Sequence, residues 1–291
     1  MNPRQFEFYA PETVDEAITL LAKFEGSKLL AGGHSLIPLM KLRIVSPEVI
    51  VDINGVKELS YIREEGREIR IGALTRLSEI QSSQLLMKVC PILPETASLI
   101  ADPQVRNRGT VGGNIAHGDP ANDLPPAMIA SGASFVIAGA RGTHTIKAED
   151  FFVDLFTTRL EQEELLTEVV VPIPLPRTGA AYLKFERKVG DFSTVSVASL
   201  LTMGKDGKCS AAGIGLGGVG ATALKAKEAE EMLVGEKLTE DLIRRAASMC
   251  SEISKPTSDL RGSAEYKKDM VTVFATRSLK LALERSRPDG R

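Results

Sequence analysis

The sequence predicts an α+β fold, and three observations carry that reading. An amphipathic helical run, Thr13 to Glu25, is followed by the strand-like runs Lys28 to Leu30 and Glu48 to Ile53, a β-α-β type start. The stretch Pro172-Ile173-Pro174-Leu175-Pro176-Arg177 interrupts the chain with alternate prolines and marks the main domain boundary. Beyond it, three β-rich runs and then three helical ones predict a three-stranded antiparallel sheet with helices on one face.

The elements follow in order. Thr13 and Glu16 have the spacing of a capping box, and Val14, Ala17, Ile18, Leu21 and Phe24 line one helical face. Lys28 to Leu30 runs into Ala31-Gly32-Gly33-His34-Ser35, a short helix, and the strand Glu48 to Ile53. Ser60 to Arg63 and Glu68 to Gly72 flank Glu64-Glu65-Gly66-Arg67 in a hairpin pattern, as Ser134 to Ala138 and Thr143 to Lys147 flank Gly139 to Gly142. Helical stretches are expected across Thr75 to Ala101, then a long irregular segment over Asp102 to Pro126, a length that usually marks function. A strand, Glu168 to Pro172, enters the proline-rich linker. The C-terminal strands are expected at Ala180 to Lys188, Thr194 to Met203 and Lys208 to Leu216, and the helices at Ala221 to Leu233, Thr239 to Cys250 and Ser263 to Glu284.

Composition narrows the function. The chain has 291 residues, 43% hydrophobic and 25% charged, which fits a packed core. Its formal net charge is −2, from 36 basic and 38 acidic residues, so no nucleic acid partner is expected. No apolar run reaches the roughly 20 residues that span a bilayer, and the N-terminus has no signal-peptide core, so a cytoplasmic protein is expected. Cys90, Cys209 and Cys250 lie far apart with no CxxC pair. They read as small buried hydrophobes, the chain is expected to bring no metal, and redox chemistry would need an organic cofactor.

Two segments share a recipe for anion binding. Ala31-Gly32-Gly33-His34-Ser35-Leu36 leaves a strand and enters a helix, and Thr110-Val111-Gly112-Gly113-Asn114 repeats the combination of a hydroxyl and a glycine pair. Glycines can reach positive φ and expose successive N–H groups to an anionic oxygen. Either loop alone is as compatible with an ordinary turn; two together suit the two phosphates of a dinucleotide. Gly215-Leu216-Gly217-Gly218-Val219-Gly220 also matches G-x-G-x-x-G. Its acidic partners, Glu240 and Asp241, open a helix rather than end a second parallel strand, so this run reads as a structural corner and not as a Rossmann fingerprint.

AGGHS at 31–35, DPQVRNRGTVGGNIAHGDPANDLP at 102–125, KFERKVGDFSTVSVA at 184–198 and DLRGSAEYKK at 259–268 resemble the FAD-binding medium subunits of the xanthine dehydrogenase and carbon monoxide dehydrogenase family. The wording is most similar to carbon monoxide dehydrogenase medium subunits. The resemblance implies two N-terminal α/β FAD-binding subdomains of the vanillyl-alcohol oxidase type, 1–57 and 58–176, and a C-terminal α+β domain, 177–291. It implies FAD as cofactor, with Leu30, Ala31, Gly32, Gly33, His34, Ser35, Leu36 and Ile37 in the first diphosphate loop and Thr110, Val111, Gly112, Gly113 and Asn114 in the second. It places Ile100 and Leu166 as apolar contacts, Asp123 on a sugar-chain hydroxyl, Lys184 near the isoalloxazine and Phe192 where the family often carries an aromatic ring. From the residues alone, Asp123 can also be read as a helix N-cap, Lys184 as a solvated strand residue and Phe192 as core, and Ile100 and Leu166 are core residues under either reading. His117 and Asp119 read as loop pins, and Arg106 and Arg108 as loop anchors or partner contacts.

The resemblance also implies a division of labour. Hydroxylation occurs on a large molybdenum-cofactor subunit, electrons cross a small [2Fe–2S] subunit, and FAD here passes them to an external acceptor, in a dimer of heterotrimers without a transmembrane segment, at most peripheral at the inner face of the membrane. No catalytic residue and no metal ligand is expected in this chain. The competing reading is a self-contained flavin reductase of the same fold class, similar to the reductase acting on UDP-N-acetylenolpyruvylglucosamine.

Overall fold

The structure, a computed structural model, describes residues 2–287. Its first sheet is parallel: β1 (Glu7–Tyr9), α1 (Val14–Lys23), β2 (Lys28–Leu30), α2 (Leu36–Lys41) and β3 (Val49–Asp52) pair in the order β1-β3-β2. The Thr13 hydroxyl caps α1 by accepting from the Glu16 N–H at 3.2 Å, but the Glu16 carboxylate accepts from Glu12 instead of completing a capping box. Strand β1 has no periodic signature in its three residues; it exists because β3 offers it a parallel edge.

The second sheet is antiparallel and five-stranded. The hairpin β4 (Ile62–Glu65) and β5 (Glu68–Gly72) turns tightly at Gly66-Arg67. Three short helices follow, α3 (Leu77–Ser82), α4 (Gln84–Val89) and α5 (Ile92–Ser98). The segment expected to be irregular contains α6 (Pro103–Arg106) and α7 (Val111–Ala116), and runs into α8 (Leu124–Ala130). Asp102 caps α6 through Val105 N–H and Thr110 caps α7 through Gly113 N–H, while Pro103, Pro125 and Pro126 sit in first turns, where a missing N–H costs nothing. The remaining elements are β6 (Ser134–Gly139), β7 (Gly142–Lys147), α9 (Ala148–Phe151), the small hairpin β8 (Phe152–Asp154) and β9 (Thr157–Thr158), and β10 (Glu164–Pro172). The sheet order is β4-β5-β10-β6-β7.

The C-terminal sheet has four strands, not the expected three: β11 (Thr178–Phe185), β12 (Val195–Met203), β13 (Cys209–Gly217) and a two-residue β14 (Leu224–Lys225). Strand β14 takes the first residues of the expected helix, which starts later, as α10 (Lys227–Leu233). Helices α11 (Glu240–Ile253) and α12 (Ala264–Arg285) complete the chain, and α10 to α12 bury Val195, Val197, Ile214 and Leu216 on one face of the sheet.

The other face is also covered, contrary to the one-sided expectation. Helix α8 lies against β12 and β13. A Cβ built at Gly213 would stand 2.1 Å from Ala130 O, and one at Gly215 would stand 2.0 Å from Pro126 O. The alternating glycines let a helix backbone lie directly on the strand, so the G-x-G-x-x-G match is a packing surface. The three cysteines are free and buried, and burial pushes the Cys90 and Cys250 thiols up to about 12. Among the described residues no helix is long and apolar enough to cross a membrane.

Candidate functional site

The two glycine loops come together. Gly32 packs so closely on the second loop's approach that a Cβ there would meet Arg108 O at 2.5 Å and Gly109 Cα at 2.8 Å. A Cβ at Gly113 would reach Ala31 Cβ at 3.9 Å. The loops therefore line one site, but their chemistry differs.

In the first loop Gly33 takes φ +78°, a left-handed conformation that favours glycine. Among the described residues none of the N–H groups of Gly32, Gly33, His34, Ser35 and Leu36 meets a protein acceptor. Ser35 precedes α2 without capping it, which leaves its hydroxyl available. His34, Ser35 and Ile37 are exposed and Leu30, Ala31 and Leu36 half-buried. Five unclaimed donors next to a free hydroxyl are what an anionic group needs.

The second loop offers no such set. Val111 N–H donates to Thr75 O, Gly112 to Ala73 O, Gly113 to Thr110 Oγ1 and Asn114 to Thr110 O. Gly112 is small for packing: its Cβ would stand 2.6 Å from that of Ala73. The expected second N–H cradle is thus not formed. The loop presents instead exposed Gly113 and the Asn114 carboxamide, whose Oδ1 is buried without a hydrogen-bond partner. An orphaned acceptor beside unclaimed donors fits a polar ligand such as FAD.

Asp123, Tyr182 and Lys184 form a separate buried cluster. Tyr182 and Lys184, two apart on β11, share one face of the strand, so both reach Asp123 at the start of α8. The Asp123 carboxylate accepts from Tyr182 Oη at 2.6 Å and from Lys184 Nζ at 3.1 Å, and Lys184 also donates to Leu99 O and lies 3.2 Å from Glu186. Asp123 makes no cap hydrogen bond, and the Lys184 side chain is 2% exposed, so neither the N-cap nor the solvated-strand reading is realised. Burial pushes the Asp123 carboxyl up to about 6 from an ordinary 3.8, against the pull of Lys184 and the Tyr182 hydroxyl.

That shift has a measurable consequence. The folded state holds the Asp123 proton more tightly than the unfolded chain does. The site's contribution to stability is therefore fully present below pH 3.8 and lost as pH rises through about 6. The urea midpoint of the parent protein should fall relative to that of Asp123→Asn between about pH 4 and 7. Parallel midpoints across that range would show that Asp123 titrates normally.

Ile100 and Leu166 are buried in the main core. Arg106 resolves as a loop anchor, donating to Gln81 Oε1, Ile100 O and Ala101 O. Asp119 accepts from Ala121 N–H and so pins the loop, whereas the His117 ring makes no hydrogen bond among the described residues and lies 5.3 Å from the ring of Phe156, with burial lowering its pKa. Phe192 is 49% exposed on a loop fastened by Arg187 and Arg261 to Asp191, and is not core. Sequence reasoning passed over Asn54 and Arg76. Asn54 Nδ2 donates to Ala31 O at 2.7 Å, and the Arg76 guanidinium donates to Asn54 Oδ1 and Arg108 O. No motif marks either residue; only contact with both loops does.

Comparison with known proteins agrees with this geometry. The family described as the FAD binding domain in molybdopterin dehydrogenase matches residues 4–174, and the CO dehydrogenase flavoprotein C-terminal domain matches residues 180–282. The chain is 42% identical to the carbon monoxide dehydrogenase medium chain of Afipia carboxidovorans, over 99% of this chain and 100% of that one. It is 44% identical to the medium chain from Hydrogenophaga pseudoflava, over 98% and 99% of the two chains. A solved structure of carbon monoxide dehydrogenase from Hydrogenophaga pseudoflava superposes with a TM-score of 0.96 at 45% identity, covering 98% of this chain and 99% of that one. With both segments matched in order and the two loops joined in one site, the chain belongs to the molybdopterin dehydrogenase family of FAD-binding flavoproteins, among the medium chains of the carbon monoxide dehydrogenase type.

Proposed function

We propose that this chain is the FAD-carrying, electron-relaying subunit of a molybdenum hydroxylase. The observation that carries the reading is the run of unclaimed N–H groups from Gly32 to Leu36, within the part of the chain that matches the FAD-binding family. These donors and Ser35 Oγ would hold the diphosphate. Ala31 and Gly113 would flank it, Asn114 would supply polar contacts, and Leu30 and Ile37 would bound the loop. Ile100 and Leu166 would give apolar contacts. Asp123 and Lys184, fixed by their ion pair, would set charge at the flavin end, with Phe192 beside it.

FAD, when bound, supplies the exchange between single electrons and electron pairs. The residues of this chain bind, orient and shield it. The expected route takes electrons from a small [2Fe–2S] subunit, reduced by a large molybdenum-cofactor subunit, and passes them to an external acceptor. The naming of the similar proteins as medium chains of larger dehydrogenases supports such an assembly. A dimer of heterotrimers, a cytoplasmic location and peripheral attachment to the membrane through the complex belong to the same proposal. So does a division at 1–57, 58–176 and 177–291, which is supported by one main sheet falling within each part.

The test is to purify the full chain and titrate it with FAD. It should bind one equivalent, turn yellow, and oxidise no hydroxylase substrate until the partner subunits are added. Failure to acquire flavin absorbance would refute the cofactor role, and turnover by the chain alone would refute the relay role.

A further inference from the structure

We propose that Asn54 and Arg76 form a strap that holds the 31–36 loop in its ligand-ready shape, so that both act as positioning residues for FAD. The inference rests on reading Gly32 to Leu36 as the diphosphate cradle. A loop whose donors are all unclaimed has little of its own to hold it. It leaves the three-residue edge strand β2; Gly33 O and Ser35 O accept from Ile37 and Leu39 of α2, but among the described residues the N–H groups of Gly32 to Leu36 make no bond that would fix the start of the loop. Something outside the loop must fix it, or ligand binding bears the ordering cost.

The strap does this through one chain of hydrogen bonds. Asp52 Oδ1 accepts from both Asn54 N at 3.0 Å and Asn54 Nδ2 at 2.5 Å, which fixes the carboxamide. The same Nδ2 donates to Ala31 O at 2.7 Å, the first residue of the loop. Asn54 Oδ1 is left facing Arg76 Nη2 at 2.8 Å. Arg76 Nη1 donates to Arg108 O at 2.6 Å, the carbonyl on which Gly32 packs. The guanidinium thus holds the loop's tether with one nitrogen and the surface beneath the loop with another. Its backbone is placed by the Arg76–Thr110 bridge and by Glu79, which accepts from Arg76 N–H. Among the described residues no carboxylate forms an ion pair with the guanidinium, so it also leaves positive charge beside the place for two phosphates. Burial and the neighbouring Arg108 lower its pKa, and the carboxylates of Glu79 and Asp52 offset part of that shift.

The experiment titrates FAD into the full apo chain and its Asn54→Ala, Arg76→Gln, Arg76→Lys and Asn54→Ala/Arg76→Gln variants, with the apo melting temperature of each. Asn54→Ala and Arg76→Gln should each weaken FAD binding by roughly 10- to 100-fold, the span of one charge-assisted hydrogen bond. The double variant should bind about as weakly as the worse single one, because both changes cut the same strap. Arg76→Lys keeps the charge and can reach one of the two acceptors, so it should fall between the parent and Arg76→Gln, with an apo melting temperature within about 3 °C of the parent. Parent-like affinity in Asn54→Ala or Arg76→Gln would overturn the strap. So would losses that simply multiply in the double variant, or losses that track melting temperature in every variant including Arg76→Lys. If the parent chain itself takes up no FAD, the underlying cofactor reading has failed, and the parent titration reports that separately.

Discussion

Gly33→Val should yield a folded protein that is colourless and takes up no FAD. Gly33 stands at φ +78°, and a β-branched residue there is a conformational outlier costing at least roughly 1–2 kcal/mol. The added Cβ would lie 2.7 Å from Ile37 Cδ1 and 3.3 Å from Leu30 Cδ1. Both atoms are ends of flexible side chains, and Ile37 is 40% exposed, so they can move aside and the fold survives. The backbone relieves its strain by leaving the left-handed region, which turns the neighbouring N–H groups away from one another. Affinity for FAD should fall by ~100-fold or more, equivalent to at least about 2.7 kcal/mol. Absorbance of the purified variant and a titration with FAD measure it; a yellow variant with full occupancy would disprove the loop assignment. Gly113→Val acts by a different route. Its Cβ would stand 2.8 Å from Thr110 Oγ1, so the first loss is the helix cap, worth about 1 kcal/mol.

Lys184→Met should be the most destabilising single change, by about 3–5 kcal/mol, because it removes one partner of a buried ion pair. The ammonium is surrounded by Asp123 Oδ2, Leu99 O and Glu186 Oε2. Without it the Asp123 carboxylate keeps, among the described residues, the Tyr182 hydroxyl as its remaining side-chain donor, and Leu99 O loses this donor. Such a loss is a large share of the roughly 5–15 kcal/mol that holds a typical protein folded. Urea unfolding measures it. The deficit should shrink as pH is lowered, since a protonated Asp123 needs no ammonium beside it. Adding Asp123→Asn to Lys184→Met should restore part of the loss, because the uncompensated charge is then gone. A deficit below about 1 kcal/mol would mean that the pair is solvated or dispensable.

Local patterns in the sequence carried most of the architecture. Helix α1 and the two hairpins of the second sheet could be read because their side-chain periods are set within a few residues. The C-terminal strands were legible for the same reason, apart from β14, whose two residues hold no period and form a strand only by pairing with Gly215 and Leu216. The segment 102–126 was misread as irregular because glycine and proline argue against helix residue by residue. There Pro103, Pro125 and Pro126 occupy first turns, and Gly112 and Gly113 fit against Ala73 and behind a Thr110 cap. The rule that mattered was positional, and position depends on where each helix begins.

By itself the sequence determined the fold class, the two glycine loops and the resemblance that led to FAD, since all three reside in contiguous residues. The tertiary structure alone decided which loop has donors to give. Both loops combine glycines with polar side chains, yet Thr75, Ala73 and Thr110 consume N–H groups of the second, and among the described residues no acceptor meets those of Gly32 to Leu36 in the first. It alone revealed that Asp123 and Lys184 answer each other, 61 positions apart in the chain, and that Asn54 and Arg76 tie the loops together across 22. Hydrogen-bond satisfaction is a property of neighbours in space. A sequence names the donors but not the acceptors that reach them first.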